Sequence, residues 1–462
     1  MKKNLMDINQ ALDLSKNEVN RLYKEHLNPS FAKMLSLLNF DRQFLSASGT
    51  TLQDIDGKEY IDFLGGYGSL NLGHNPVRVI EAVKRVMEMP NLMQASMGTM
   101  ETVAAYNLAQ LMPGDLNHSF FCNSGTEAVE GAIKTARIAA VKQRVLYCRD
   151  SFHGKTMGSL SVTGRNKYQE PFKPMVPGNE MVPYGELGIL EDKFKNGGFA
   201  AFIIEPIQGE GGINLPPENY FKGVRELCDK YEVYFILDEI QTGFARTGAM
   251  FAAEHDNIVP DFICTAKSLG GGVMPIGAFT TTEKIWNKAY GGIDKALLHT
   301  STFGGNTLAT TAAIATMNEL VDNDIAKQAA EKGEYFLAKL QEMADKYEMI
   351  KEVRGRGLLI GLEFKEVETG ILDKISGGVL NKLSKEYLAA MVASALINDH
   401  KIITAYTLNN PNVIRFEPPL IITYKEIDYL IECLESIFEK NKGLFSMTIK
   451  SAKTVLGSFL KK

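Results

Sequence analysis

The chain has 462 residues, 45% of them hydrophobic, which is enough for an extensive core divided over more than one domain. Its 50 basic and 55 acidic residues give a formal charge of −5, and the basic ones are scattered, which argues against a nucleic-acid partner. No apolar run is long enough to span a bilayer, and the five cysteines and seven histidines show neither disulfide nor metal-ligand spacing, so a cytoplasmic chain without membrane contact or bound metal is expected.

Residues 1 to about 40 carry loosely periodic apolar positions (Leu12, Leu14, Val19, Leu22, Tyr23) and predict a helical docking arm. The stretch "TLQDIDGKEYIDF" predicts a hairpin with a type I′ turn at Asp56-Gly57. From about residue 76 to 330, short apolar runs alternate with helical stretches such as "TEAVEGAIKTARIAAVK" and "NYFKGVRELCDKY". The runs are "HSFFCNSG", "RVLYCRDS", "FAAFIIEP", "VYFILDEI" and "FICTAK"; continuous apolar strands between helices predict an α/β fold with a mainly parallel sheet covered on both faces. Beyond residue 330 come a charged helix, a strand in "RGRGLLIGLEF", strands in "KIITAY" and "NVIRFEP", and a closing helix from about 424 to 440. The expected organisation is an arm and hairpin (1–75) packing with the small domain, a large domain (76–330), a smaller α+β domain (331–440) and a tail (441–462) read as a packed or frayed terminal helix, the alternative being an amphipathic helix that meets a partner or membrane surface.

Ligands of open α/β sheets bind beyond the carboxyl ends of the strands. Here those ends supply Asn123-Ser124-Gly125-Thr126, Asp150-Ser151-Phe152-His153, Glu205, Asp238 with Gln241, and Lys267. In "CNSGTEAVEGA" the strand-to-helix junction offers backbone N–H groups to an anion such as phosphate, although Ser or Thr followed by Glu is also an ordinary helix start. There is no GxxxxGK[ST], and the glycines of "RGRGLLIGLEF" precede their strand, so neither a P-loop nor a dinucleotide site is expected. Asp238 reads as a solvated strand end or as a carboxylate facing a ring nitrogen, and Lys267 as a snorkelling lysine or a nucleophile. The glycines after Lys267, in "FICTAKSLGGGVMPIG", favour a backbone passing close to a bound group. A lysine, a strand-end carboxylate, an anion site and an aromatic residue, Phe152, are together the parts that hold pyridoxal 5′-phosphate.

The segments "FCNSGTEAVEGAIKTAR", "SFHGKTMGSLSVTG", "IIEPIQGEGG", "LDEIQTGFARTG", "PDFICTAKSLGGGVMPIGA", "HTSTFGGNTLA" and "VIRFEPPL" resemble, in order, the class III (ornithine-type) aminotransferases. The resemblance implies the fold type I of pyridoxal-phosphate-dependent transferases, with a seven-stranded sheet, and the cofactor itself. It implies that Lys267 is the Schiff-base lysine, that Asp238 pairs with the pyridine nitrogen and that Gln241 contacts the ring hydroxyl. Phe152 would stack on the ring beside His153, Glu205 would lie near Asp238 and Gln241, and Ser124, Gly125 and Thr126 would bind the phosphate. Thr302 matches a threonine that reaches the phosphate of a neighbouring subunit, which implies a homodimer, with pairing into tetramers left open. Arg415 matches the arginine that takes the α-carboxylate of 2-oxoglutarate or glutamate, and Glu210 a glutamate that neutralises it and swings aside. "FLGGYGSLNLGH", "LLHTSTFGGN" and "TLNNPNVIRFEPPL" are most similar to the putrescine-using members. They imply ping-pong transamination from putrescine to 2-oxoglutarate, a step of polyamine catabolism. Acetylornithine, ornithine, 4-aminobutyrate, cadaverine or lysine as donor, and a cofactor-binding regulator, are the alternatives. The sequence departs from the family pattern at Ala245, where glycine is usual before "RTG", and at Thr307, where proline is usual after "GGN".

Overall fold

The computed structural model describes residues 5–37, 40–92, 96–365 and 379–440; the expected tail at 441–462 lies outside them. The amino-terminal arm is three helices, Ile8–Leu12, Lys16–His26 and Pro29–Leu37. Asp7 with Gln10 and Ser15 with Glu18 form capping boxes that start the first two, neither of which buries a residue.

Strands β1 (Phe44–Ser48), β2 (Thr51–Asp54) and β3 (Glu59–Asp62) follow as an antiparallel ladder. The hairpin between β2 and β3 is present, but its turn is not type I′. Only Gly57 of the expected pair takes a positive φ, 76°. The Asp54 carboxylate accepts the N–H groups of Asp56 (3.0 Å) and Lys58 (2.9 Å), while Gly57 N–H closes on Asp54 O at 2.9 Å. That side-chain cap holds a longer loop in which Asp56 never needs the left-handed region.

The central sheet has seven strands: β4 (Leu116–Cys122), β5 (Arg144–Cys148), β6 (Asn179–Val182), β7 (Phe199–Ile204), β8 (Tyr234–Asp238), β9 (Phe262–Thr265) and β10 (Gly277–Thr282). Their order is β4-β10-β9-β8-β7-β5-β6. Strand β10 runs antiparallel to both neighbours and the remaining pairs are parallel, so the sheet is mixed but mainly parallel. Successive side chains of a strand enter opposite cores, as a sheet covered on both faces requires. Val145 and Tyr147 join one cluster with Val129 and Ala132 of the helix Gly125–Ala140, whereas Leu146 and Cys148 join the other.

A third sheet has the order β11 (Ile350–Arg356), β12 (Leu359–Phe364), β15 (Val413–Phe416), β14 (Ala405–Tyr406). The segment "RGRGLLIGLEF", expected as one strand, is divided into the end of β11 (Ile350–Arg356) and β12 (Leu359–Phe364), which pair antiparallel. Gly357 makes the reversal at φ 56°, where a Cβ would stand 2.4 Å from the Thr247 carbonyl carbon. "KIITAY" is likewise divided: β13 (Ile402–Ile403) joins β3 in parallel, and β14 (Ala405–Tyr406) pairs with β15 (Val413–Phe416). Thr404 sits at the crossing point and donates its hydroxyl to Arg415 O at 2.6 Å. The closing helix Tyr424–Lys440 packs on the helix Ile325–Lys346. One hydrophobic cluster runs from Val79 and Leu146 through Phe336 to Phe416 and Phe438, joining the central and third sheets.

Candidate active site

The carboxyl ends of β4, β5, β8 and β9 open into a cavity of about 600 Å³. Its lining includes Ser124, Gly125, Thr126, Phe152, His153, Glu205, Asp238, Gln241 and Lys267, so one space gathers nine of the predicted residues. Lys267 follows the last β9 residue by two positions and takes φ 46°, opening a single tight turn to Gly270. Left-handed backbone at a lysine is strained, and it persists because the surroundings fix it. The glycines after it pass close to neighbouring elements. A Cβ at Gly271 would lie 2.5 Å from Thr316 Oγ1, and one at Gly272 2.3 Å from Leu70 Cδ2. Close approach is therefore the right reason for these glycines, but what approaches is largely neighbouring side chains. Burial lowers the Lys267 amine below the usual lysine range, while Glu417, Glu210 and Asp238 oppose that shift. The net effect is a larger neutral, nucleophilic fraction at a given pH.

Asp238 ends β8 with only 4% of its surface exposed. One oxygen lies 2.7 Å from His153 Nδ1 and the other accepts the Ile240 N–H at 3.1 Å. His153 Nε2 is buried with no hydrogen-bond partner. Glu205, just past β7, accepts the Phe152 N–H (2.8 Å) and the Gly209 N–H (3.2 Å), fixing Phe152 on one side and the turn carrying Glu210 on the other. Burial pushes its carboxyl up to about 7; the neighbouring Asp238 adds to the shift, and His153 and the two N–H donors work against it.

Ser124 caps the helix Gly125–Ala140, accepting the Glu127 N–H on its hydroxyl. The first-turn N–H groups of that helix have no intrahelical acceptor and its dipole favours an anion there. Thr126 Oγ1 extends the polar rim, 2.6 Å from Ser159 Oγ and 2.9 Å from Thr156 Oγ1. A Cβ at Gly125 would meet Ile240 Cδ1 at 2.8 Å, so only glycine lets Ile240 reach the cavity wall beside the helix start.

A second polar group adjoins the cavity. Arg415, on β15, is fully buried and its guanidinium is held on two sides: Nη2 pairs with Glu210, and Nη1 lies 3.4 Å from Glu417 Oε2. Glu210 also accepts the Leu408 N–H at 2.9 Å. Burial alone would raise the Glu210 carboxyl, but Arg415 and this N–H hold it below its usual range. Glu417 Oε1 accepts from Gln241 Nε2 at 2.6 Å, linking this group to the cavity wall. Tyr67 lies over the guanidinium, its ring centre 5.2 Å away.

Thr302 is exposed and does not line the cavity of its own chain. Glu417, Tyr67 and Ile240 are the site residues that sequence reasoning missed. For Glu417 a signal existed: Arg415 and Glu417 are two apart on an extended segment and therefore share a side. Tyr67 offers no such pattern, because its orientation follows from a left-handed turn, φ 58°.

The fold and this donor set define a transferase of fold type I dependent on pyridoxal 5′-phosphate. A strand-end lysine, a buried carboxylate, a helix start and an aromatic wall fit the aldehyde, ring nitrogen, phosphate and ring of that cofactor. Residues 38–438 match the family described as aminotransferase class-III, and the chain belongs to it. It is similar to the ornithine aminotransferase of Toxoplasma gondii ME49, with 31% identity over 95% of this chain and 100% of that one and a TM-score of 0.83. The acetylornithine aminotransferase of Elizabethkingia anophelis is 26% identical over 92% of this chain and 100% of that one, with a TM-score of 0.74. An (S)-enantioselective omega-transaminase from Thermomicrobium roseum is 26% identical over 95% and 99%, with a TM-score of 0.82. Among the described residues no helix is long and apolar enough to cross a membrane.

Proposed function

We propose that this aminotransferase takes its nitrogen from the terminal amine of a diamine, putrescine, and delivers it to 2-oxoglutarate. The observation that carries the reading is the state of Arg415, which is buried between Glu210 and Glu417 and so is not presented to a substrate carboxylate in this structure. A donor without an α-carboxylate leaves that arrangement undisturbed. In the first stage the nitrogen stays in the site while 4-aminobutanal, which closes to 1-pyrroline, leaves. In the second, 2-oxoglutarate carries it away as glutamate, its α-carboxylate bound bidentately by Arg415 once Glu210 has turned aside.

Bound in the cavity, pyridoxal phosphate supplies an aldehyde that condenses with amines and a ring that draws electrons from the substrate carbon. The protein does the rest. Ser124, Gly125 and Thr126 hold the phosphate, Phe152 covers the ring, and Gln241 faces its hydroxyl. Asp238, oriented by His153, keeps the ring nitrogen protonated. Lys267 Nζ would take the proton from the substrate carbon that bears the nitrogen and would return it two bonds away, on the far side of that nitrogen. We place the enzyme in the cytoplasm as a homodimer with Thr302 serving the partner's phosphate. The exposure of Thr302, with that of the nearby apolar Ile293, Leu297 and Phe303, supports this reading.

Ornithine is the second reading, favoured by the 31% identity to the Toxoplasma gondii ornithine aminotransferase. Trapping the aldehyde formed with 2-oxoglutarate separates the two. Putrescine should yield 1-pyrroline and an equal amount of glutamate faster than any other donor; faster turnover of ornithine would replace putrescine with ornithine.

A further inference from the structure

Glu417 is not the carboxylate proposed to turn aside, and it is the more deeply enclosed of the two on Arg415. It is fully buried, whereas Glu210 keeps 7% of its surface exposed. Its main-chain N–H is tied to Phe63 O at 2.8 Å, one oxygen is held by Gln241 at 2.6 Å, and the other faces Arg415 at 3.4 Å. A Cβ on Gly68 would stand 3.1 Å from Glu417 Oε1, so the chain also closes over it from that side. Glu210 sits on a short glycine-rich turn, Gly209–Gly212, whereas Glu417 directly follows β15 and is followed by Pro418. One carboxylate is placed to move and the other is fixed.

The consequence is a fixed negative charge beside the donor site, one that acts on Arg415 and also on the buried Arg246 and Lys267. Two carboxylates flank one guanidinium while Glu210 is in place, and when a substrate carboxylate replaces Glu210 the count is unchanged. Glu417 therefore offsets the attraction of Arg415 for carboxylates in both stages. Its field also reaches the reacting end, where it is the largest charge acting to raise the Lys267 amine.

We infer that Glu417 is the residue that sets the charge preference of the donor site, acting through Arg415 and Gln241 to favour amines carrying a second positive charge over neutral or carboxylated ones. It is a positioning residue, since its atoms are enclosed. The inference rests on the diamine reading and deepens it.

The test compares putrescine, 1-aminobutane and ornithine as donors in single-turnover half-reactions of the holoenzyme, in wild type and Glu417→Gln. 1-Aminobutane has the same reacting amine without the second ammonium. In wild type, putrescine should saturate at a much lower concentration than 1-aminobutane. In Glu417→Gln that ratio of dissociation constants should fall at least about tenfold and the ornithine-to-putrescine preference rise, because a unit charge has been removed from a low-dielectric site. The limiting rates should move together for all three donors, as a general disturbance of Gln241 would affect each alike. An unchanged ratio in Glu417→Gln overturns the inference while leaving the diamine reading in place. A wild type that does not distinguish putrescine from 1-aminobutane defeats the diamine reading, and this inference with it. If Glu417→Gln fails to fold, Glu417→Asp, which keeps the charge but withdraws it by one methylene, should shift the ratio in the same direction by a smaller factor; no shift there overturns the inference.

Discussion

Asp238 and His153 face each other at 2.7 Å in a nearly closed space, the aspartate 4% and the histidine 2% exposed. The main-chain N–H of His153 is in turn fixed by Thr163 Oγ1 at 3.1 Å, which holds in place the segment that carries the imidazole. Asp238→Asn keeps the shape and removes the charge. It should slow the amine half-reaction by about a thousandfold, the scale of losing one preorganised charged partner. Single-turnover kinetics check this, and a loss smaller than about tenfold would contradict the role given to Asp238.

Glu210 and Arg415 should separate the two stages of the reaction. In Glu210→Ala, Arg415 keeps only Glu417 and becomes more attractive to carboxylates. The diamine half-reaction should weaken at least about tenfold and the glutamate half-reaction no more than about threefold, each measured on its own substrate. Equal losses in both stages would remove the switch from the account.

Glu239, next to Asp238, is fully buried and accepts the Thr242 hydroxyl and the Ala253 N–H. Burial, opposed by these donors, pushes its carboxyl up to about 7 from an ordinary 4.5. A carboxyl raised on folding contributes stability that is complete below about pH 4.5 and lost as the pH rises through about 7. The loss is on the order of 3 kcal/mol for such a shift. The thermal midpoint of wild type should therefore fall between pH 5 and 8 more steeply than that of Glu239→Gln. Parallel slopes would show that Glu239 ionises in the folded protein as it does in the unfolded one.

Ala245 occupies left-handed backbone at φ 74° and is completely buried, at the position where the sequence departs from a family glycine. Ala245→Gly should stabilise the protein by about 1 kcal/mol, the steric relief outweighing the greater freedom glycine gives the unfolded chain. Thermal unfolding at fixed cofactor concentration reads this directly, and a lowered midpoint would contradict it.

Much of this site was legible because its residues stand where strand chemistry changes abruptly. Strand β7 is apolar throughout and β9 is apolar up to its last residue, Thr265; both are fully buried, and the charged residues just beyond such strands mark the sheet edge; Glu205 and Lys267 were found in that way. Strand β10 was not found. Its sequence "GAFTTT" lacks a continuous apolar run, because its threonines are buried with partners of their own, such as Thr281 Oγ1 on Asp261 O at 2.8 Å. Strand β6, "NEMV", is too short and polar to stand out. Thr307 shows how a departure can carry its own structure. Its N–H reaches Asn91 O at 3.1 Å and its hydroxyl Pro90 O at 2.7 Å, contacts that the usual proline would lack. The Arg415–Glu417 pairing was missed because a buried charge pair leaves no periodic trace beyond a spacing of two.

The most direct measurement is the visible spectrum of the cofactor-saturated enzyme before and after separate additions of putrescine, ornithine, N-acetylornithine and 4-aminobutyrate, without a keto acid. The account predicts that the band of the lysine-bound cofactor disappears fastest with putrescine and returns on adding 2-oxoglutarate. A faster loss with another amine would contradict the assignment of the donor, and the absence of that band from saturated enzyme would contradict the role of Lys267.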